Sequence, residues 1–382
     1  MFTLRAALCV LGRIDERDAR RPWRTGRGPM DTKRRHVVGG AAALALVSAS
    51  SAAFAQKKDP VPGNASADPT DFEAALRSKF STGDVLNWTG GNVRLKRPIV
   101  IDVTASLRGA GVDLNGAKII ADFNDPNRST LTVRIPATHK KVAFRGLKIF
   151  NGSFMADSPA RDAIDLICLT NDSWIYSWKL MNLDIEGFAR DGLFFDGSVF
   201  EGDCHAITCS DNGRNGMTFR NDGPKDDMGI VSAIAIFGGQ MRKNGNAGIE
   251  TQSAVRYQEP RDLNISQTYF VENKGPGLNA AAGFSMAYGC GFENNADCGI
   301  NLMNEGRMFA CRASTKGSQP YLVNAFFSGG EMLIDACRIE GYSGFEGKMK
   351  FAKVRGNGTV TLRDSGQRSD LDVAGNITVK VT

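Results

Sequence analysis

The chain has 382 residues, 42% of them apolar, with a formal charge of +6, a composition that suits a globular domain with a sizeable core. The charge is uneven: residues 1–55 carry 10 Lys and Arg against 4 Asp and Glu, which leaves 37 of each sign beyond them. With no net positive field and no Lys/Arg-rich stripe after residue 55, nucleic acid is excluded as an expected partner.

Residues 1–29 precede a second plausible start at Met30 and carry no fold pattern of their own. From there the chain reads Lys33-Arg34-Arg35-His36, then a small-residue apolar run from Val37 to Phe54, then Ala53-Phe54-Ala55 before Gln56. These are the three parts of a signal peptide, and the run is too weakly apolar for a good membrane span. The paired arginines resemble a twin-arginine leader, although Lys33 stands where Ser or Thr is usual and Val37 where Phe is usual; ordinary secretion is the alternative. Residues 1–55 are therefore read as a leader, the mature chain as periplasmic or secreted, without a membrane span. Cleavage after Ala55 removes Cys9 and leaves seven cysteines, an odd number that argues against a complete disulfide framework. With only His139 and His205 left and no CxxC, a structural zinc site is not expected.

Residues 56–82 read as a linker and a capping helix. Asp68-Pro69-Thr70-Asp71-Phe72-Glu73-Ala74-Ala75-Leu76 opens a helical pattern that runs to Phe80, with Thr70 or Asp71 as the N-cap. From residue 83 to 382 the pattern changes to short strands, and a phrase recurs: a small residue, usually Gly, then alternating apolar positions. It stands at Ala163-Ile164-Asp165-Leu166, Gly192-Leu193-Phe194-Phe195, Gly216-Met217-Thr218-Phe219, Gly248-Ile249-Glu250-Thr251, Gly277-Leu278-Asn279-Ala280 and Gly299-Ile300-Asn301-Leu302, at intervals of 29, 24, 32, 29 and 22. Four residues before Gly216, Gly248, Gly277 and Gly299 stand Asn212, Asn244, Asn273 and Asn295; seven before stand Cys209, Met241, Phe270 and Phe292. Two columns at fixed offsets through loops of unequal length predict stacked coils, with a turn Asn ladder and an apolar column inside. A sandwich or propeller also has many short strands but predicts neither column, and a leucine-rich repeat needs a shorter, stricter period.

This pattern resembles the asparagine ladder of right-handed parallel β-helices in the pectate-lyase-like superfamily. Ser106-Leu107-Arg108-Gly109-Ala110-Gly111 and Val142-Ala143-Phe144-Arg145-Gly146-Leu147-Lys148-Ile149 continue the likeness, which covers about residues 66–342. The resemblance implies an all-β, single-stranded right-handed parallel β-helix with a short N-terminal capping helix; Lys348 to Thr382 reads as short strands with Gly turns, the last coils. Cys290, Cys311 and Cys337 sit in comparable strands and are expected to align as a row of buried thiols; Cys204 and Cys209 are a second candidate pair.

Because strand side chains alternate, the second and fourth residues after the phrase's small residue point outward. Those columns gather Asp165, Asp196, Arg220 and Glu250 on one sheet face, the candidate catalytic set, with Gln252 beside them. The connections after these strands read as long loops, Leu169 to Lys179, Gly197 to Asp203, Asn221 to Val231 and Ser253 to Asp262, and place a cleft over residues 160–260. Trp174, Trp178, Arg256 and Tyr257 on them are the candidate substrate-binding residues with Gln252; Lys225, Asp226 and Asp227 lie in the third loop. For each of these residues a solvated ladder, a turn or a packing role is the alternative. His205 begins a different strand and reads as a surface or turn residue.

The resemblance implies polysaccharide chemistry: a lyase, hydrolase or epimerase acting on an acidic polysaccharide. Asp196 and Glu250, two coils and nearly 10 Å apart by strand spacing, suit an inverting hydrolase. For elimination or epimerisation, whose sugar carboxylate is neutralised by a cation or by Arg, Arg220 would be clamp or base, with Asp165, Asp196 or Glu250 able to hold Ca²⁺ through oxygen ligands; no cofactor is required by the sequence. The chain departs from polygalacturonase-type relatives: their Asn-Thr-Asp, Gly-His-Gly and Arg-Ile-Lys phrases are missing, and Asp226-Asp227 lies in a loop. The Asp-Pro-His-Asp phrase of alginate epimerases is also missing. A non-catalytic polysaccharide-binding or assembly protein is the alternative from another class. A monomer is expected.

Overall fold

The structure is a computed structural model that describes residues 66–382 apart from 171, 222–230, 254–259, 281–285, 304, 318 and 342–348. The leader and its export signal lie outside the described residues, as do Lys225, Asp226, Asp227, Arg256 and Tyr257. Helix α1, Pro69–Thr82, opens the fold. Its N-cap is Asp68, whose side chain accepts the Thr70 amide at 2.7 Å, so the expected cap at Thr70 or Asp71 is corrected. The reason is Pro69: with no N–H to satisfy and a fixed φ, it favours the first helical position, which puts the capping carboxylate one residue earlier. Phe72, Leu76 and Phe80 are buried, and Phe72 meets Trp88 edge-on at 5.0 Å while Phe80 meets Phe144 at 6.0 Å. The helix covers the apolar end of the first coil, which no neighbouring coil could bury.

Every strand pairing that follows is parallel, and each strand pairs with the equivalent strand of the next coil. The winding chain makes four faces. Face A stacks Ile164–Cys168, Leu193–Gly197, Met217–Asn221 and Ile249–Ser253, and continues through Leu278–Ala280 and Cys298–Met303 to the start of Tyr321–Asp335. Face B stacks Leu107–Arg108, Ala143–Arg145 and Trp174–Tyr176 and continues into the first residues of Val199–Ser210. Faces C and D are the two halves of Lys179–Glu186 and of the part of Val199–Ser210 that pairs with it, from Asp203 on. One residue in the left-handed region turns each corner between them, Asn151, Asn182 and Ala206 with φ of 51 to 55° on successive coils. The parallel β-helix expected from the repeat is the fold of the chain.

The phrase's glycines have a steric reason. A Cβ added at Gly192, Gly216, Gly248 or Gly299 would sit 2.6 Å from a backbone oxygen of the adjoining coil, a distance no side chain tolerates. The Asn column is a buried ladder: the Nδ2 of Asn212 donates to Asn244 Oδ1 at 3.0 Å, Asn244 to Asn273 at 2.9 Å, Asn273 to Asn295 at 2.8 Å and Asn295 to Gln319 Oε1 at 3.0 Å. Each side chain satisfies a buried corner and fixes the next coil's height. Cys209, Met241, Phe270 and Phe292 stand in register inside, with Phe270 and Phe292 stacked at 4.9 Å.

Cys290, Cys311 and Cys337 form the expected buried row, and Cys204 and Cys209 are separate free thiols. The tail differs from the expected short strands: Lys350–Arg363 and Leu371–Val381 are long strands that run round a corner without a break, turning at Gly356 and Gly375. Glycine takes the left-handed turn at no steric cost, so the ladder continues through it. Among the described residues no helix is long and apolar enough to cross a membrane.

Candidate functional site

Face A brings the expected acids and arginine into one field. In register across it run Asp165, Phe194, Thr218, Glu250 and Asn279 in one column, and Ile167, Asp196, Arg220 and Gln252 in the other. Asp196 and Arg220 are directly paired, the Arg220 Nη2 and Nε reaching Asp196 Oδ2 at 2.6 and 3.1 Å. Gln252 Nε2 donates to Glu250 Oε2 at 2.6 Å. Glu250 also accepts from Asn215 Nδ2 at 2.6 Å and from Asn279 Nδ2 at 2.9 Å. Asp165 stands apart from that group, separated from Glu250 by the Phe194 and Thr218 coils.

Alternation set the direction of these side chains but not their exposure. Asp165 and Asp196 are buried: Asp196 lies against Arg220 of the adjoining coil, and residues just before the phrase fold over the Asp165 end of the face. Three arginines stand before the phrase: Arg161, Arg190 and Arg214, with Asp162, Asp191 and Asn215 following them in the chain. Arg190 grips Asp162 with Nε on Oδ1 at 3.0 Å and Nη2 on Oδ2 at 2.5 Å. Arg214 grips Asp191 in the same manner, Nε on Oδ1 at 2.8 Å and Nη2 on Oδ2. Arg161 reaches both Asp162 and Asp165, while Ser129 Oγ donates to Asp165 Oδ2 at 2.7 Å and lies 3.2 Å from Asp162. The carboxylates are sequestered and the four guanidiniums a quarter to a third exposed. Phe194, itself buried, lies under two of them, with the Cζ of Arg190 at 4.1 Å and of Arg220 at 4.8 Å from its ring centre, a cation–π arrangement that holds both heads over the sheet.

The electrostatics follow from this burial. Desolvation, then the neighbouring Asp162 charge, pushes the Asp165 carboxyl up to about 8 against the pull of Arg161. Burial also raises Asp191, opposed by Arg214. With Asp165 neutral below that point, Asp162, Asp191, Asp196 and Glu250 balance Arg161, Arg190, Arg214 and Arg220. Among these described residues the face therefore presents fixed donors whose formal charges cancel.

Other expectations change. Trp178 is not a substrate-binding residue: it is fully buried and stacks on Phe195 at 4.8 Å, which stacks on Phe219 at 4.7 Å. Ser177, at φ 53°, inserts one left-handed residue that resets the alternation and turns the following ring inward. Trp174 is 39% exposed but begins face B, pairing with Ala143. The expected long loops at Leu169 to Lys179 and Gly197 to Asp203 are corrected as well, since Trp174–Tyr176 and Val199–Ser210 are strands. His205 lies on face C, its ring 5.8 Å from Phe237, and burial lowers its pKa. The arginines missed in the sequence had a signal there: Arg161-Asp162-Ala163, Arg190-Asp191-Gly192 and Arg214-Asn215-Gly216 repeat an Arg two positions before the phrase's small residue.

No family profile matches the chain, and no curated protein matches it in sequence. Solved structures do. ORF18 of Geobacillus virus E2 matches at 14% identity with a TM-score of 0.55, over 76% of this chain and 57% of that one. The chain thus spans little more than half of that neighbour's length. DFA-IIIase from Arthrobacter chlorophenolicus A6, without its lid, matches at 10% identity and a TM-score of 0.48 over 85% and 98% of the two chains. The enzymatically active domain of tailspike protein 2 from bacteriophage CBA120 matches at 11% identity and 0.49 over 78% and 47%. At these identities the likeness is one of fold.

Proposed function

We propose that this is an exported carbohydrate-active protein whose face A engages an acidic polysaccharide. The observation that carries the reading is the pair of arginine forks at Arg190 and Arg214. Each commits its Nε and Nη2 to a buried carboxylate, and its Nη1 makes no hydrogen bond among the described residues. A guanidinium fixed in this way meets a sugar carboxylate with little further ordering. Several such forks on successive coils suit a ligand that is itself a repeating chain.

For turnover, the arrangement supports proton abstraction beside a sugar carboxylate, as in elimination or epimerisation, over hydrolysis. Hydrolysis needs two reachable carboxyls, whereas Asp196 is buried against Arg220 and Asp165 against Arg161. Abstraction needs the sugar carboxylate neutralised, and arginines supply that, with half-buried Glu250 more reachable than the buried Asp165 and Asp196. One observation favours the second reading, binding without turnover: the three amide donors on Glu250 fill most of its acceptor sites. Among the described residues no group of three or more His, Cys, Asp or Glu is placed to hold a metal, and no step is routed through calcium.

The test is calorimetric binding of polygalacturonate and alginate to the mature protein, with the carboxyl-reduced polymers as controls. Ultraviolet absorbance of new unsaturated ends and reducing-end release are followed in parallel. Binding that needs the carboxylates and falls at least tenfold in Arg214→Lys, which keeps the charge but loses the fork, is expected. Absorbance without excess reducing ends assigns elimination, a changed ratio of uronate epimers in the polymer by proton NMR assigns epimerisation, and binding with none of these signals assigns the non-catalytic reading. Equal affinity for intact and reduced polymers contradicts the proposal.

A further inference from the structure

Face A does not end at Glu250. The outward column continues as Asn279, Asn301 and Asn324, with Lys353 next in register. These asparagines form a second ladder, on the outside: Asn324 Nδ2 donates to Asn301 Oδ1 at 3.2 Å, Asn301 to Asn279 at 2.9 Å, and Asn279 to Glu250 Oε1 at 2.9 Å. An amide has two N–H donors, so each rung keeps one for a ligand while the row is aligned by the anion at its head.

The neighbouring column is unlike any other part of this face. Met303 and Phe326, in register, are 44% and 52% exposed, the two most exposed large apolar side chains among the described residues apart from Val381 near the end of the last strand. They border a depression of about 450 Å³ shared with Asn324, Lys353 and Arg355. Arg355 is committed to Asp372 at 3.0 Å. Lys353 has no carboxylate partner among the described residues and lies 5.9 Å from the Tyr321 ring centre, so the depression carries one uncompensated positive charge. A flat exposed ring, amide donors beside it and one available cation are the complement of a pyranose that bears a carboxylate: apolar face on Phe326, hydroxyls on the amides, anion on Lys353. An apolar protein partner would leave the amides and the ammonium unmatched.

We propose that this depression is a second saccharide subsite, for an acidic sugar unit of the same polymer. It rests on the reading of face A as the polysaccharide-binding face. Asn324 lies three coils from Glu250, about 14 Å along the axis at one strand spacing per coil, so only a chain long enough to span that distance engages both regions. Two linked contacts then bind more tightly than either alone.

Short and long oligogalacturonates are titrated by calorimetry into the mature wild type, Phe326→Ala, Lys353→Gln and Arg214→Lys, with thermal melts to show that the exposed changes leave the fold intact. Expected is a loss of about tenfold in affinity for long oligomers in both Phe326→Ala and Lys353→Gln, and for Lys353→Gln no loss with carboxyl-reduced oligomers. If both variants bind long oligomers within twofold of wild type while Arg214→Lys does not, the subsite is refuted and the reading of face A stands. If the wild type binds no oligomer, that reading falls and the subsite with it.

Discussion

Replacing Asp165 by Asn isolates the buried acid that Arg161 covers on face A. The carboxyl is buried, receives the Ser129 hydroxyl at 2.7 Å and the Arg161 guanidinium, and faces Asp162. Its pKa is pushed up to about 8, against about 3.9 in an unfolded chain. Below pH ~4 both states hold the proton and the group favours neither. Between pH ~4 and ~8 only the folded state holds it, so stability falls as pH rises, by about 1.4 kcal/mol per unit and on the order of 5 kcal/mol across the window. Above pH ~8 the loss is complete. Asn keeps the shape and cannot titrate. Urea unfolding of wild type and Asp165→Asn across pH 4 to 9 should therefore give curves that diverge, the variant gaining on wild type as pH rises. Parallel curves would refute the assignment of a neutral Asp165 in the folded protein.

The interior ladder and the glycine column make separate predictions. Asn244→Ala leaves the Asn212 amide groups and the Cys209 carbonyl without their buried partner and should cost about 3 kcal/mol, whereas Asn376→Ala, on the exposed end coil, should stay within about 0.5 kcal/mol; chemical denaturation measures both. Gly248→Ala puts a methyl 2.6 Å from Gly277 O and 2.7 Å from Phe270 Cδ1, and a loss of about 2 kcal/mol is expected in the same assay. All seven cysteines from Cys168 to Cys337 are buried and free, with Cys168 pushed up to about 11 by burial. A thiol titration should find none reacting quickly in the native protein and seven after denaturation.

The fold was legible because its constraints act at fixed offsets. The close approach of coils at Gly216 and Gly248 admits no Cβ, the corner at Asn244 needs an amide on both sides, and the apolar column fills the interior, so each leaves a mark at the same distance from the phrase. The site was legible only in direction. Alternation places Asp165 and Asp196 outside the coil, yet the arginine that covers Asp165 stands before the phrase, outside the alternating positions that the pattern reads. Trp178 failed because the segment read as a loop is largely strand, Trp174–Tyr176 and then Lys179 onward, with the left-handed Ser177 between them turning the next ring inward. Asp68 escaped because the proline at position 69 moves the cap back by one residue.

The central claim is that the arginines of face A read sugar carboxylates. A crystal structure of the mature protein with a bound oligogalacturonate tests it most directly. Expected is a sugar carboxylate within about 3 Å of Nη1 of Arg190 or Arg214, with the chain running along the stacking direction. An ordered saccharide on faces B, C or D, or one on face A whose carboxylates touch no arginine, would contradict it.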